Sequence, residues 1–219
     1  MDGEIDERGN MYLPEHFKEK NENHIYDLVK SFPLSTLLCI DDDEIIANHI
    51  PIFLKNKNSL IGHIAKENNL HKLISNGSYC LSIFHGENSY ISPNWYPSKN
   101  LNHKVVPTWN YQVVHLSGKI FFTDNKKDKI EVIGSLTNYH EKNLTKNKPW
   151  KISDAPKEYI TMMLDNIVAF EIKVDKCFSK SKLNQNKSKE DFKSVLLKMK
   201  ENGKNQLYKK MKKFNKNNK

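Results

Sequence analysis

The sequence predicts a mainly β fold with added helices: a small, mostly antiparallel barrel. Three observations predict it. Short apolar runs with period-two alternation dominate the first 85 residues and recur after residue 107. Turn clusters separate them without the crossover helices that a parallel sheet needs. Most of the helical patterns, three of five, come late, after most of the strands are laid down.

The elements follow in order. Ile25, Leu28, Val29 and Phe32 fall at helical spacing, and Pro33 stops that helix. "STLLCI" is a strand and "DDDE" a turn. "IIANHIPIFLK" alternates Ile46, Asn48, Ile50, Ile52 and Leu54 on one face against Ile45, Ala47, His49, Pro51 and Phe53 on the other, with Pro51 demoting it to an edge or bulged strand. "LIGHI" completes a three-stranded meander. A helix is predicted over about 67–75, stopped at Asn76–Gly77. "SYCLSIF" is the next strand. "HGENSYISPNWYPSKNLNHKVVP" reads as a long loop, a length uncommon unless functional. "TWNYQVVHLSGKIFF" is a strand with a bulge at Gly118. Helices are predicted over roughly 125–140 and 156–165, and "NIVAFEIKVDKC" closes the strand set. Ser188 caps a last helix whose stripe is Phe192, Val195, Leu196 and Met199.

Composition narrows the function. The chain has 219 residues and a net charge of +9. Between residues 176 and 219, 15 lysines stand against three acids, a balance of +12, so residues 1–175 carry −3. The basic end reads as a solvated tail over 201–219, with weak, sequence-independent nucleic-acid binding as the most it offers, because it lacks arginine and interleaved aromatics. No apolar run reaches the ~18 residues that span a bilayer. The acidic, polar start is not a signal peptide. Three widely spaced cysteines fit a reduced, cytoplasmic setting and no disulfide framework.

Three groups of residues could carry chemistry. Gly62, His63 and Lys66 stand where a strand meets a helix start; backbone N–H groups, a ring donor and a point charge there suit a phosphate, although a first-turn lysine is ordinarily just solvated. Trp95, Tyr96, Trp109 and Tyr111, with Asn94 and Asn110, either wall a planar ring or pack a core. His49, His63, His85 and His115 lie on or beside strands, but no metal-ligand spacing appears, so no metal site is expected. No catalytic elbow, phosphate loop, acid–base pair or helix-turn-helix is visible.

Taken in order, "MYLPEHF", "GHIAKENN", "IFHGENSYISPNWY", "VPTWNYQVVHLSGK" and "KLNQNKSKEDFKSV" resemble the PaiB-like family of FMN-binding negative transcriptional regulators, across roughly residues 11–197. The resemblance implies a flavin split barrel over 11–200, flanked by an extension at 1–10, and a homodimer with FMN at the subunit interface. It implies that His63 to Asn69, with Ala65 and Lys66, contact the FMN phosphate after Gly62. It implies that Asn48, His49 and Ile50 run beside the flavin ring. Trp109, Asn110, Gln185 and Lys187 line the pocket, the last two from the partner subunit. The family more often has Arg at Lys66, Asn-Pro at Asn68–Asn69 and Ser at Asn184; Lys66 keeps the charge but loses the two-pronged grip. Flavin-dependent oxidoreductases and haem-handling proteins share this barrel, so both remain alternative functions.

Overall fold

In the computed structural model, residues 11–145 and 147–217 are described, their side chains as far as residue 213. The extension at 1–10 lies outside them. The strands are β1 (Leu34–Asp41), β2 (Glu44–Pro51), β3 (Phe53–Asn56), β4 (Ser59–Ala65), β5 (Tyr79–His85), β6 (Ser89–Ile91), β7 (Thr108–Thr123) and β8 (Ile167–Lys182). The helices are α1 (Glu22–Ser31), α2 (Leu70–Leu73), α3 (Lys99–Asn102), α4 (Lys126–Leu144), α5 (Lys157–Asp165), α6 (Lys189–Glu201) and α7 (Asn205–Asn217). None of the described helices is long and apolar enough to cross a membrane. The chain forms two compact units. Among the described residues, one gathers those up to Leu28, His85–Val114 and those from Phe178 on; the other is Val29–Phe84 with His115–Cys177. The long strands β7 and β8 run through both.

The second unit carries the barrel. The sheet order is β2-β1-β5-β7-β8-β4-β3, and the β1–β2, β1–β5, β3–β4 and β4–β8 pairings are antiparallel. β2 and β3 are the two outer strands of that order, yet only Ile52 separates them in the chain. A single residue can join the two edges only if the sheet curls round until they nearly meet, which is a split barrel and not a flat sheet. Ile52 is buried, and its amide donates to the Pro33 carbonyl at 2.8 Å instead of to a neighbouring strand. The run read as one edge or bulged strand of a three-stranded meander is thus two strands, β2 and β3, parted just after Pro51 at this seam. Inward residues such as Leu37, Leu60, Phe84, Ile120 and Ile172 fill the interior. On the opposite face of β4, α4 packs Val132 and Leu136 against Ile61 and Ala169. Gly118 serves a close approach within a continuous β7: a Cβ there would stand 2.0 Å from the Lys173 carbonyl oxygen of β8.

The first unit has its own core, in which Ile91, Tyr96, Leu183, Phe192, Val195, Met199, Leu207 and Met211 pack together. Ser188 caps α6, accepting from the Asp191 amide at 3.1 Å. Three further expectations change. The helix read over 67–75 is the single turn Leu70–Leu73, because Asn68 turns its side chain onto the Leu70 amide and the chain is already extended at Ile74. The loop over 85–107 holds β6, a 3-10 turn at Pro93–Trp95 and α3. The lysine-rich segment read as solvated is the helix α7, with Leu207 and Met211 buried.

Candidate functional site

The first eight site residues taken from the sequence fall in the barrel unit. β2 turns Asn48 and Ile50 inward, with Ile50 buried, and leaves His49 exposed, its Nδ1 3.2 Å from Thr36 Oγ1. Asn68 Nδ2 donates to Asn48 Oδ1 at 2.7 Å, so the turn after β4 is tied to β2. Asn69 sits at φ −70°, the angle the more usual proline would impose.

Gly62 has a packing reason to be glycine. It faces Phe170 across the β4–β8 ladder, and a Cβ at 62 would stand 2.5 Å from the Phe170 Cζ. Ala65 is exposed at the end of β4. The Lys66 amide donates to the Asn166 carbonyl at 2.8 Å, and its half-exposed ammonium lies 3.5 Å from Asp124 Oδ2. Asp124 is shared with Lys129, whose hydrogen bond holds the Asp124 carboxyl below its usual range, with Lys66 adding to the effect. The charge expected to await a phosphate already has a partner, and the one-turn α2 supplies little helix dipole.

His63 is different. Its Nδ1 is buried without a hydrogen-bond partner, and burial alone holds the ring below the ordinary histidine value. A neutral imidazole must leave one nitrogen without a proton and one with it, so this atom is a donor or acceptor that no protein group satisfies. The His63 residue lines a pocket of about 410 Å³, with Pro51 at the end of β2 and Leu136, His140, Glu141 and Trp150 from α4 and its sequel. Glu141 is tethered there by the Thr145 hydroxyl at 3.2 Å and the Trp150 amide at 3.0 Å. Only His63 of this lining was singled out from the sequence. Apart from Pro51 and Trp150, the rest comes from α4, a helix whose resting place no local signal gives; the one hint is that Leu136 and His140 share a face four residues apart.

The remaining four residues fall in the other unit. Trp109 is exposed and meets Tyr90 edge-to-face at 6.2 Å. Asn110 is fully buried; its amide nitrogen reaches Met211 Sδ at 3.7 Å and its carbonyl oxygen has no partner. Gln185 spends its side chain on the backbone: it accepts from the Leu183 amide and donates to the His16 and Ser181 carbonyls. That holds the turn after β8. Asn184 stands at φ 62°, in the left-handed region that asparagine tolerates and most residues avoid, and donates to the Tyr96 hydroxyl at 3.1 Å. Those two facts account for Asn in place of the more usual Ser. Tyr96 is a core residue, and the ammonium of Lys187 lies 5.2 Å from its ring.

Residues 11–176 match the sequence family described as "Putative FMN-binding domain". The curated "Protease synthase and sporulation protein PAI 2" of Bacillus subtilis is 32% identical over 190 residues, spanning 85% of this chain and 87% of its own. An uncharacterized protein of Saccharomyces cerevisiae is 34% identical over 154 residues, 60% of this chain and 90% of that one. Among solved structures, the FAD and heme binding protein from Mycobacterium smegmatis superposes with a TM-score of 0.56 at 14% identity, covering 75% of this chain and 73% of that one. That last likeness is one of fold.

Proposed function

Because the chain belongs to the FMN-binding domain family matched across residues 11–176, we propose that it is an FMN-binding regulator that works as a homodimer. The observation that carries the flavin reading is the His63 pocket. Its volume of about 410 Å³ falls within the ordinary range for small-molecule sites, and its lining joins Pro51, Leu136 and Trp150 to His63, a residue whose buried Nδ1 has no partner. Pro51 and Trp150 would shield the ring from water, and His63 would hydrogen-bond the ligand. Lys66 would meet the phosphate by exchanging its Asp124 contact, with Asn48 and Asn68 fixing the turn that carries it. When bound, a flavin supplies redox chemistry of its own. The regulatory role follows the PaiB-like family and the relative whose name ties it to protease synthesis and sporulation.

The dimer reading rests on the outer face of β1 and β2. Cross-strand register puts Leu34 beside Pro51 and Ile40 beside Ile45 on one side of the sheet. Leu34, Ile40 and Ile45 are 62%, 68% and 73% exposed, an apolar patch of the kind an oligomer covers. Gln185 and Lys187 are proposed to reach the flavin from the partner copy. Any nucleic-acid contact through Lys209, Lys212 and Lys213 of α7 is proposed to be weak and salt-sensitive.

The test is a pair of titrations followed by flavin fluorescence. A charge-assisted phosphate contact is worth about 1.5–3 kcal/mol. Lys66→Ala should weaken FMN by roughly 10- to 150-fold, toward the lower end because Asp124 competes, and leave riboflavin nearly unchanged. Equal losses for both ligands, or a purified protein with a haem Soret band and no flavin bands, would overturn the reading.

A further inference from the structure

Cys39 and Cys80 are far apart in the sequence, but the β1–β5 ladder sets them directly opposite one another. Alternation turns both to the buried side of the sheet. Cys39 falls in step with Ser35 and Leu37 of β1, and Cys80 with Ser82 and Phe84 of β5. They are 1% and 4% exposed, and both belong to the barrel unit. Directly opposed residues of an antiparallel pair have Cα atoms about 4.5–5.5 Å apart, within the roughly 4.4–6.8 Å that a disulfide spans. The ladder therefore already supplies the separation a covalent link needs. No disulfide joins the two in this structure.

The two side chains meet. The Cys80 thiol donates a hydrogen bond to the Cys39 sulfur, and that bond holds Cys39 below the ordinary thiol value although burial opposes it. The same bond, and then burial, keeps the proton on Cys80. One sulfur is thus the readier nucleophile and the other carries the proton. The pair also has a way to open. Cys39–Cys80 is the last rung that β1 makes with β5, and beyond it Ile40 and Asp41 pair with β2 alone. The chain then turns through Asp42 and Asp43 at φ 41° and 70°, left-handed backbone that most residues avoid. A terminal rung opens more readily than a central one. Cys177, the third cysteine, lies on β8, which β7 separates from β5.

We propose that Cys39 and Cys80 form a modification site: a reversible disulfide, made by hydrogen peroxide, that locks this end of β1 to β5. When the rung opens, the Cys39 thiolate attacks one peroxide oxygen; the O–O bond breaks, hydroxide leaves and Cys39 becomes a sulfenic acid. The Cys80 sulfur then attacks the Cys39 sulfur, and the sulfenic hydroxyl departs with the Cys80 proton as water. In sum, two thiols lose two electrons and two protons, and one peroxide becomes two waters. A dithiol reverses the step by exchange through a mixed disulfide. The proposal does not rest on the flavin reading, because its oxidant is peroxide and its test needs no flavin.

The experiment treats the full-length protein, reduced and then freed of reductant, with hydrogen peroxide. The product is alkylated and digested without reduction, and its peptides are weighed. The linked product should join the Cys39 peptide to the Cys80 peptide, with the loss of two hydrogens, and dithiothreitol should return both thiols. Cys177→Ser should form the same link at an unchanged rate. Unfolded in urea, the wild type should instead give a mixture of pairings among its three cysteines, because the ladder no longer selects one. Amide exchange at Ile40 and Leu81 should be slower in the oxidised protein than in the reduced one. Oxygen added to either sulfur with no cross-link would overturn the proposal, as would loss of the link in Cys177→Ser. The same mixture of pairings in folded and unfolded protein would do so too. Equal exchange in the two redox forms would mean that the link locks nothing, and would overturn the proposal on that ground.

Discussion

Replacing Gly62 by alanine tests the packing of the wall beside the proposed flavin pocket. The new Cβ would stand 2.5 Å from Phe170 Cζ and 3.1 Å from Cε1 and Cε2, where carbon atoms ordinarily rest at about 3.5–4.0 Å. The Phe170 ring must therefore retreat by about 1 Å. It has little room to do so: it is fully buried and meets Phe122 edge-to-face at 6.2 Å. Overpacking of this kind costs about 1–3 kcal/mol. In a chain of this size that lowers the melting temperature by roughly 2–12 °C. Thermal melts of Gly62→Ala, Phe170→Leu and the double variant form a cycle. Phe170→Leu alone should destabilise by leaving a void, and the double variant should lose less than the sum, because the smaller side chain vacates the space the methyl needs. If Gly62→Ala melts with wild type but binds FMN tenfold more weakly, the glycine serves the phosphate and the packing account is wrong.

The other predictions probe separate parts of the molecule. The buried His63 ring resists protonation, so the unfolded chain binds a proton that the folded one does not as pH drops through about 6.5; stability should fall there, and His63→Gln should flatten that slope in denaturant melts run from pH 8 to 5. An unchanged slope would show that His63 titrates freely in the folded state. Ile45→Asp places a charge in the exposed β1–β2 face, and sedimentation at micromolar concentration should shift from dimer to monomer; a wild-type monomer would remove the dimer proposal. Met211→Ala should cost about 2–5 kcal/mol, because that side chain is fully buried against α6, whereas a solvated tail would give a change within about 0.5 kcal/mol.

The strand set was readable because period-two patterns survive in β1, β2 and β5, where one face is more buried than the other. What failed shares a cause. α7 was hidden because lysine and asparagine dominate it, and its helical signature is little more than Leu207 and Met211 four residues apart. The helix expected over 67–75 had the right apolar spacing, but Asn68 offered the backbone a competing turn. The purpose of Gly62 depends on Phe170, 108 positions along the chain, and register over that distance leaves no local trace. His63 and Lys66 were legible as polar groups at a strand end. That Lys66 would find Asp124 and His63 would find nothing depends on where α4 and its preceding loop settle.

The seam and the pocket have one origin. A barrel closed by continuous ladders would need the amides of residues 51 and 52 in its sheet. Pro51 has none to give, and the Ile52 amide is turned to Pro33, so β2 ends and β3 begins on the other edge with no donor stranded. The residue that ends the ladder is thereby freed to stand on the pocket wall, and Pro51 does so with His63 of β4. Closing the barrel at this point would demand a partner for the Ile52 amide and would draw Pro51 into a ladder it cannot join. The opening is therefore built into the sequence at a single imino acid. A ligand settling against Pro51 and His63 would cover apolar wall without breaking any strand pairing.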